Sequence, residues 1–335
     1  MARATSRILG WGAADAELVV TNDELAAVVD SSDEWIAKRT GIRQRRYVNN
    51  GDGSVAMGEK ASRDALEMAA TAVDEVDVII ACTISPDIDF PGNAVLLQQR
   101  LGLGGKPAFD VRNQCSGFVY GLSIADQFIQ TGASRVLLVG SEIHSSGLDF
   151  EGGRGRDLTV LFGDGAGAVV IGPSQDGRHG LLSFGLHAEG RYADKLCTIG
   201  PSHRRSLRLD VSTAPPDDTY VYPIMDGRYV FKHAVTRMTE VITEVAEEAG
   251  IGVGEIDMLL PHQANLRINQ LVALGLGLDD TQISNNIDRY GNTTAATIPI
   301  LLTETAAAGR IKEGDLVCLA AFGAGFTWGA ALYRW

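Results

Sequence analysis

Short apolar runs recur along this chain in a fixed register. Val76-Asp77-Val78-Ile79-Ile80 is echoed by Ile256-Asp257-Met258-Leu259-Leu260, 256 − 76 = 180 positions later. Val136-Leu137-Leu138-Val139-Gly140 is echoed by Leu316-Val317-Cys318-Leu319-Ala320 at the same offset, 316 − 136 = 180. Each run has the length of a buried strand. A third pair, Gly167-Ala168-Val169-Val170-Ile171 and Gly329-Ala330-Ala331-Leu332-Tyr333, is separated by 329 − 167 = 162, so the first half carries extra residues around 141–160. A long-period echo of this kind predicts a duplication, with one half over 1–180 and the other over 181–335.

Helical signals fill the gaps between the runs. The stretches 126–132 and 236–250 each end on a glycine in the position of a helix C-cap. Thr21-Asn22-Asp23-Glu24 and Ser31-Ser32-Asp33-Glu34 have the form of capping boxes, and the second places Trp35 and Arg39 four residues apart on one helical face. Alternating strands and helices predict an α/β architecture with buried, mainly parallel strands. The stretch 187–226, with Pro201, Pro215 and Pro216, predicts a loop or cap over the second half. Residues 316–333 carry no charge and approach the length of a membrane span, but Gly323, Gly325 and Gly329 interrupt them. They read as strand, glycine turn, strand.

Composition narrows the function. The 335 residues include 29 basic and 42 acidic side chains, a net charge of −13, which argues against a general electrostatic hold on nucleic acid or an anionic membrane. A phosphate-bearing partner must therefore meet a local basic patch. Cys82, Cys115, Cys197 and Cys318 lie far apart without metal-ligand spacing, which predicts a reducing, cytoplasmic setting and neither a disulfide scaffold nor a metal site. No apolar segment of signal-peptide length follows the N-terminus.

One cysteine stands out. Pro107-Ala108-Phe109-Asp110-Val111-Arg112-Asn113-Gln114-Cys115-Ser116-Gly117 reads as a strand turning sharply into the helix that continues through Phe118 to Phe128. A thiol at that turn feels the positive end of the helix dipole, which favours the thiolate, and Arg112 would add to the effect. Most free cysteines are structural, so the turn alone is a weak signal.

Several separated motifs strengthen it. Asp33-Glu34-Trp35-Ile36 through Arg39-Thr40-Gly41-Ile42, the Cys115 turn, Phe162-Gly163-Asp164-Gly165-Ala166-Gly167-Ala168, Pro261-His262-Gln263-Ala264-Asn265-Leu266-Arg267, Tyr290-Gly291-Asn292-Thr293 and Gly323-Ala324-Gly325-Phe326-Thr327-Trp328-Gly329 follow one another in the order found in one family. Across essentially its whole length the chain resembles the β-ketoacyl-acyl carrier protein synthase III condensing enzymes of the thiolase superfamily. The resemblance implies a thiolase-like fold, two duplicated α/β halves forming a five-layered αβαβα core. It implies Cys115 as the nucleophile that carries an acyl group, and His262 and Asn292 as donors to the enolate of a malonyl thioester after decarboxylation. Backbone N–H groups of Cys115 and of the Gly323-Ala324 turn would form the oxyanion hole; the family usually has glycine where Ala324 stands, which is tolerated if φ is negative.

By the same resemblance Trp35, Arg39 and Arg156 would contact coenzyme A, which arrives as a thioester substrate and not as a resident cofactor. Arg154 competes with Arg156 for this role. Phe90 matches a residue that reaches across a homodimer interface to limit acyl-chain length, against the alternative of an ordinary core aromatic. Arg267 and Lys232 match basic positions that receive an acyl carrier protein. On the helix after Arg267, however, Ile268-Asn269-Gln270-Leu271-Val272-Ala273-Leu274-Gly275 lacks the family's other basic residues, which predicts weaker recruitment of an acidic carrier. Arg112-Asn113-Gln114 also departs from the small residues usual before the nucleophile. These departures keep fatty-acid initiation first and leave open a specialised ketosynthase or acyltransferase of polyketide or pyrone formation. A thiolase would carry a second cysteine in 323–329, and a two-histidine synthase a histidine in place of Asn292; this chain has neither.

Overall fold

The computed structural model describes residues 5–49, 51–150, 156–199 and 223–335, and in it the repeated apolar runs become the centres of two sheets. The first half contains β1 (Ser6–Asp15), β2 (Leu18–Thr21), β3 (Gln44–Tyr47), β4 (Val78–Cys82), β5 (Ala108–Val111), β6 (Val136–Glu142) and β7 (Gly165–Pro173). The second contains β8 (Gly180–Ala188), β9 (Leu196–Cys197), β10 (Ile224–Met225), β11 (Met258–Pro261), β12 (Leu316–Gly323) and β13 (Thr327–Arg334). One sheet runs β1-β7-β6-β4-β5 and the other β8-β13-β12-β11. The 180-residue register therefore maps β4 onto β11 and β6 onto β12, and both sheets repeat one order. The counterpart of β5 is reduced to a single parallel bridge between Leu259 and Ile283.

The sheets are mixed, which corrects the expectation of mainly parallel strands. Among the described strands of these two sheets, β4 with β5, β4 with β6, and β11 with β12 pair in parallel; β6–β7, β7–β1, β12–β13 and β13–β8 are antiparallel. Periodicity finds the central strands because both faces of β4 and β6 are buried and so uniformly apolar. It cannot give direction, which follows from connection length: β12 reaches β13 through 324–326, too short for a parallel crossover. The longer first-half connection after β6 holds the extra residues anticipated near 141–160.

The helices are α1 (Asn22–Ala26), α2 (Asp33–Thr40), α3 (Ser54–Met68), α4 (Asn93–Leu101), α5 (Gly117–Gln130), α6 (Arg156–Thr159), α7 (Gly227–Ala249), α8 (Leu266–Leu276), α9 (Ile287–Tyr290) and α10 (Thr297–Ala307). α5 and α10, largely buried, lie between the sheets. α3 and α4 cover the outer face of the first sheet, and α7, with α8 packed on it, covers the second. This is the five-layered arrangement, and one apolar cluster runs through its centre from Ile80 and Phe118 to Leu260, Leu319 and Tyr333.

Local signals hold with small shifts. Thr21 and Glu24 form the anticipated capping box on α1. At α2 the cap is Ser32, one residue beyond the anticipated Ser31, and its side chain accepts from the Trp35 N–H. Gly250 caps α7 with φ +70, whereas α5 ends on Thr131 with Gly132 following it at φ +111. Pro201, Pro215, Pro216 and Arg154 lie outside the described residues.

Candidate active site

The duplication delivers two equivalent turns, each leading into a central helix, to the middle of the molecule. After β5, Gln114–Ser116 makes one 3₁₀ turn into α5, with Gln114 at φ +46. At an offset of 294 − 114 = 180, Thr294–Ala296 makes the same turn into α10, with Thr294 at φ +43. Neither is glycine, so both are held against their steric preference by what surrounds them. Cys115 sits on the first turn, buried at 8% exposure. Asn292 sits just before the second, and His262 follows the last residue of β11.

A single cleft of about 1180 Å³ collects these groups: Cys115, His262, Asn292, Gly323 and Ala324 line it together with Trp35 and Arg39. Gly323 at the end of β12 lies so near Cys115 that a Cβ there would stand 2.9 Å from the Cys115 Cβ and 3.1 Å from its nitrogen. The only non-glycine residues with positive φ among those described are Ala70, Gln114 and Thr294, so Ala324 keeps an ordinary backbone and its N–H remains usable as a donor.

His262 is 2% exposed and its backbone N–H donates to the Ala320 carbonyl at 2.8 Å. Neither ring nitrogen has a hydrogen-bond partner among the described residues, which sets it apart from a satisfied core histidine; an unmade buried bond costs about 1–3 kcal/mol until a ligand supplies it. Asn292 is clamped by its backbone, which donates to Leu161 O at 2.7 Å and accepts from Gly163 N at 3.1 Å. Its Oδ1 accepts from the Thr294 N–H at 2.9 Å, which leaves the Nδ2 hydrogens as donors.

Electrostatics correct one expectation. Burial pushes the Cys115 thiol up to about 12, and the Glu142 carboxylate adds to the rise while the local backbone N–H opposes it. The free cleft therefore holds a thiol, because desolvation outweighs the helix terminus. Arg112 does not offset this: its exposed guanidinium faces Asp89 at 3.9 Å. Burial also pushes His262 down to about 3, so its imidazole is neutral at physiological pH.

The remaining candidates separate. The guanidinium carbons of Arg39 and Arg156 stand 4.3 and 4.8 Å from the Trp35 ring centroid, a cationic aromatic platform at the cleft. Phe90 is 84% exposed, which rules out a core role, and it does not line its own chain's cleft. Lys232 on α7 and Arg267 on α8 are exposed, and Arg267 lies over Phe231 at 5.8 Å, next to the cleft wall. Two residues that no motif flagged also belong here. Glu142, fully buried, accepts from Thr83, Ser85 and the backbone of Ile84, Ser85 and Ala295. His144 lines the cleft and bonds Thr294. The 180-residue register, applied past the end of β6, would have placed His144 opposite Ala324.

Comparison with known proteins gives the family. The family model for 3-oxoacyl-[acyl-carrier-protein] synthase III matches residues 109–190, and that for the C-terminal part of the same synthase matches 246–335. A β-ketoacyl-[acyl-carrier-protein] synthase III from Agrobacterium fabrum is 44% identical over 98% of this chain and 99% of its own. The chain belongs to the β-ketoacyl-[acyl-carrier-protein] synthase III family. It is thus an acyl-transferring condensing enzyme of thiolase-like fold. The crystal structure of a family member from Aquifex aeolicus superposes with a TM-score of 0.90 at 40% identity, covering 98% of this chain and 100% of that one. The priming β-ketosynthase of the R1128 polyketide pathway superposes with a TM-score of 0.89 at 32% identity, covering 99% and 96%.

Proposed function

We propose that this enzyme loads an acyl group from acyl-coenzyme A onto Cys115 and condenses it with a malonyl thioester, the half over 1–180 supplying the nucleophile and the half over 181–335 the enolate donors. The observation that carries this reading is the buried His262, whose ring nitrogens lack partners among the described residues and which lines the same cleft as Cys115 and Asn292. In the first step the Cys115 sulfur forms a bond to the acyl carbonyl carbon, the carbon–sulfur bond to coenzyme A breaks, and the thiol proton leaves with coenzyme A. The N–H groups of Cys115 and Ala324 hold the oxyanion. In the second step the carboxylate carbon–carbon bond of the malonyl group breaks, and its electron pair becomes an enolate held by the neutral His262 and by Asn292. The enolate carbon attacks the acyl-Cys115 carbonyl, and the sulfur departs and regains a proton. A neutral imidazole suits this work, which asks for a donor and not a base.

Trp35, Arg39 and Arg156 would receive the adenine and phosphates of coenzyme A, giving a chain of net charge −13 its local cationic site. No resident cofactor or metal enters the scheme. Phe90 would reach the acyl pocket of a second copy in a homodimer, and Arg267 with Lys232 would meet an acyl carrier protein. Free cysteines and the lack, among the described residues, of any helix long and apolar enough to cross a membrane fit a cytoplasmic enzyme. A second reading, a specialised ketosynthase using the same Cys-His-Asn set, is favoured by α8, where Leu271 and Leu274 are exposed in the segment that lacks basic residues.

Incubation with a panel of acyl-coenzyme A thioesters should add one acyl mass to Cys115, seen by intact-mass spectrometry and lost in Cys115→Ala. Malonyl-carrier protein or malonyl-coenzyme A should then release carbon dioxide and yield a β-ketoacyl product, the better extender and chain length separating the two readings. Absence of any adduct, or carbon dioxide release without a β-keto product, would overturn condensation.

A further inference from the structure

Asn292 can hold an enolate only if its amide is turned the right way, and one hydrogen bond does the turning. The Thr294 N–H donates to Asn292 Oδ1 at 2.9 Å, which commits Nδ2 to the remaining side. That N–H belongs to a β-branched residue at φ +43, a conformation the local sequence does not favour. Something must hold the turn. Among the described residues of the other half of the molecule, His144 reaches its side chain, with Nε2 2.8 Å from Thr294 Oγ1.

His144 is itself firmly set. Its backbone N–H donates to Asp164 Oδ1 at 2.7 Å, and its ring packs on Phe162 with centroids 4.7 Å apart. Phe162 lies between Leu161 and Gly163, the two residues that clamp the Asn292 backbone. In the duplicated register His144 corresponds to Ala324, 324 − 144 = 180. Just as the loop after β12 closes on the Cys115 turn, the loop after β6 closes on the Thr294 turn, with a side chain in place of a backbone donor.

We propose that His144 is a positioning residue for the condensation half-reaction, acting through Thr294 on the orientation of the Asn292 amide. The proposal rests on the condensing reading given above. Without the imidazole the turn relaxes, the N–H leaves Oδ1, and the amide is free to rotate its acceptor toward the enolate. Cys115 lies on the other turn, so its acylation does not require His144. Glu142, which accepts from the Ala295 N–H at 3.4 Å, supports the same turn but cannot select the amide orientation.

The test separates the two half-reactions in His144→Leu, His144→Gln, Thr294→Val and the double variant His144→Leu/Thr294→Val, each checked for an unchanged melting profile. His144→Leu should acylate Cys115 within about 3-fold of wild type, while carbon dioxide release and product formation from the malonyl thioester fall about 10- to 100-fold. Gln, whose amide can reach the Thr294 hydroxyl, should recover most of the loss. Thr294→Val should match His144→Leu, and the double variant should be no worse than the poorer single, as expected of one shared interaction. Equal loss of both half-reactions, undiminished condensation, Gln no better than Leu, or additive losses would overturn the proposal with wild-type activity intact. A wild-type protein lacking either half-reaction would overturn the condensing reading and the positioning role with it. Should His144→Leu fail to fold, the Gln and Thr294→Val comparison decides alone.

Discussion

At the scale of the residue, Cys115 and His262 are defined by what burial removes. A helix N-terminus after a strand was visible around Cys115, and it argues for a thiolate; depth of burial and the nearby Glu142 carboxylate were not visible, and they win. His262 follows the same logic with the opposite charge. Its value is pushed from 6.5 down to about 3, so the folded state resists protonation that the unfolded chain accepts. Its contribution to stability is therefore fully present above pH 6.5 and is lost as pH falls toward 3. The wild-type melting temperature should accordingly drop more steeply between neutrality and mild acid than that of His262→Asn, measured by differential scanning calorimetry. Parallel slopes would mean that His262 is not buried neutral. In the same way Cys115 alkylation by a neutral electrophile should climb steadily with alkaline pH and not level off near neutrality.

At the scale of the element, the repeat explains how much could be read beforehand. The apolar runs at 76–80 and 256–260 were legible because their strands are buried on both faces, and hydrophobicity alone records that. The paired turns were not legible, because their shape comes from the opposite half. Gly323 presses on Cys115, and at the equivalent turn a Cβ on Gly140 would collide with the Ala295 carbonyl oxygen. Strand direction and the exact cap at Ser32 were missed for the same kind of reason, since connection geometry and a one-residue choice between serines leave little trace in composition. The crowding makes a prediction. Gly323→Ala must move backbone around Cys115, and should cost about 1–3 kcal/mol of stability and at least about tenfold in Cys115 acylation. Gly275→Ala on α8, where the new Cβ meets Thr239 at an ordinary 3.6 Å, should instead stabilise by about 0.5–1 kcal/mol. Thermal melts of the two variants against wild type check the pair; equal effects would show that proximity to Cys115 is not what keeps Gly323 small.

At the scale of the whole molecule, the proposed homodimer turns on one exposed loop. The loop between β4 and α4 presents Ile88 at 46% and Phe90 at 84% exposure, with Val95 on α4 at 37%. Exposed large apolar side chains close together in sequence fit a contact surface, and the proposed homodimer would cover them with a second copy of the chain. The expected particle in solution is then a dimer of 2 × 35.6 = 71.2 kDa, measurable by light scattering coupled to size-exclusion chromatography. Two substitutions separate assembly from chemistry. Phe90→Asp places a charge in the contact and should shift the population toward monomer on dilution. Phe90→Ala keeps the interface apolar and should leave the dimer, while moving the acyl-coenzyme A preference toward longer chains if the ring caps the partner's pocket. A monomeric wild type would remove the dimer, and an unchanged chain-length profile in a dimeric Phe90→Ala would remove the cap while leaving the assembly. A dimeric Phe90→Ala with a longer chain-length preference would place the action of Phe90 on the pocket of the other copy and not on that of its own chain.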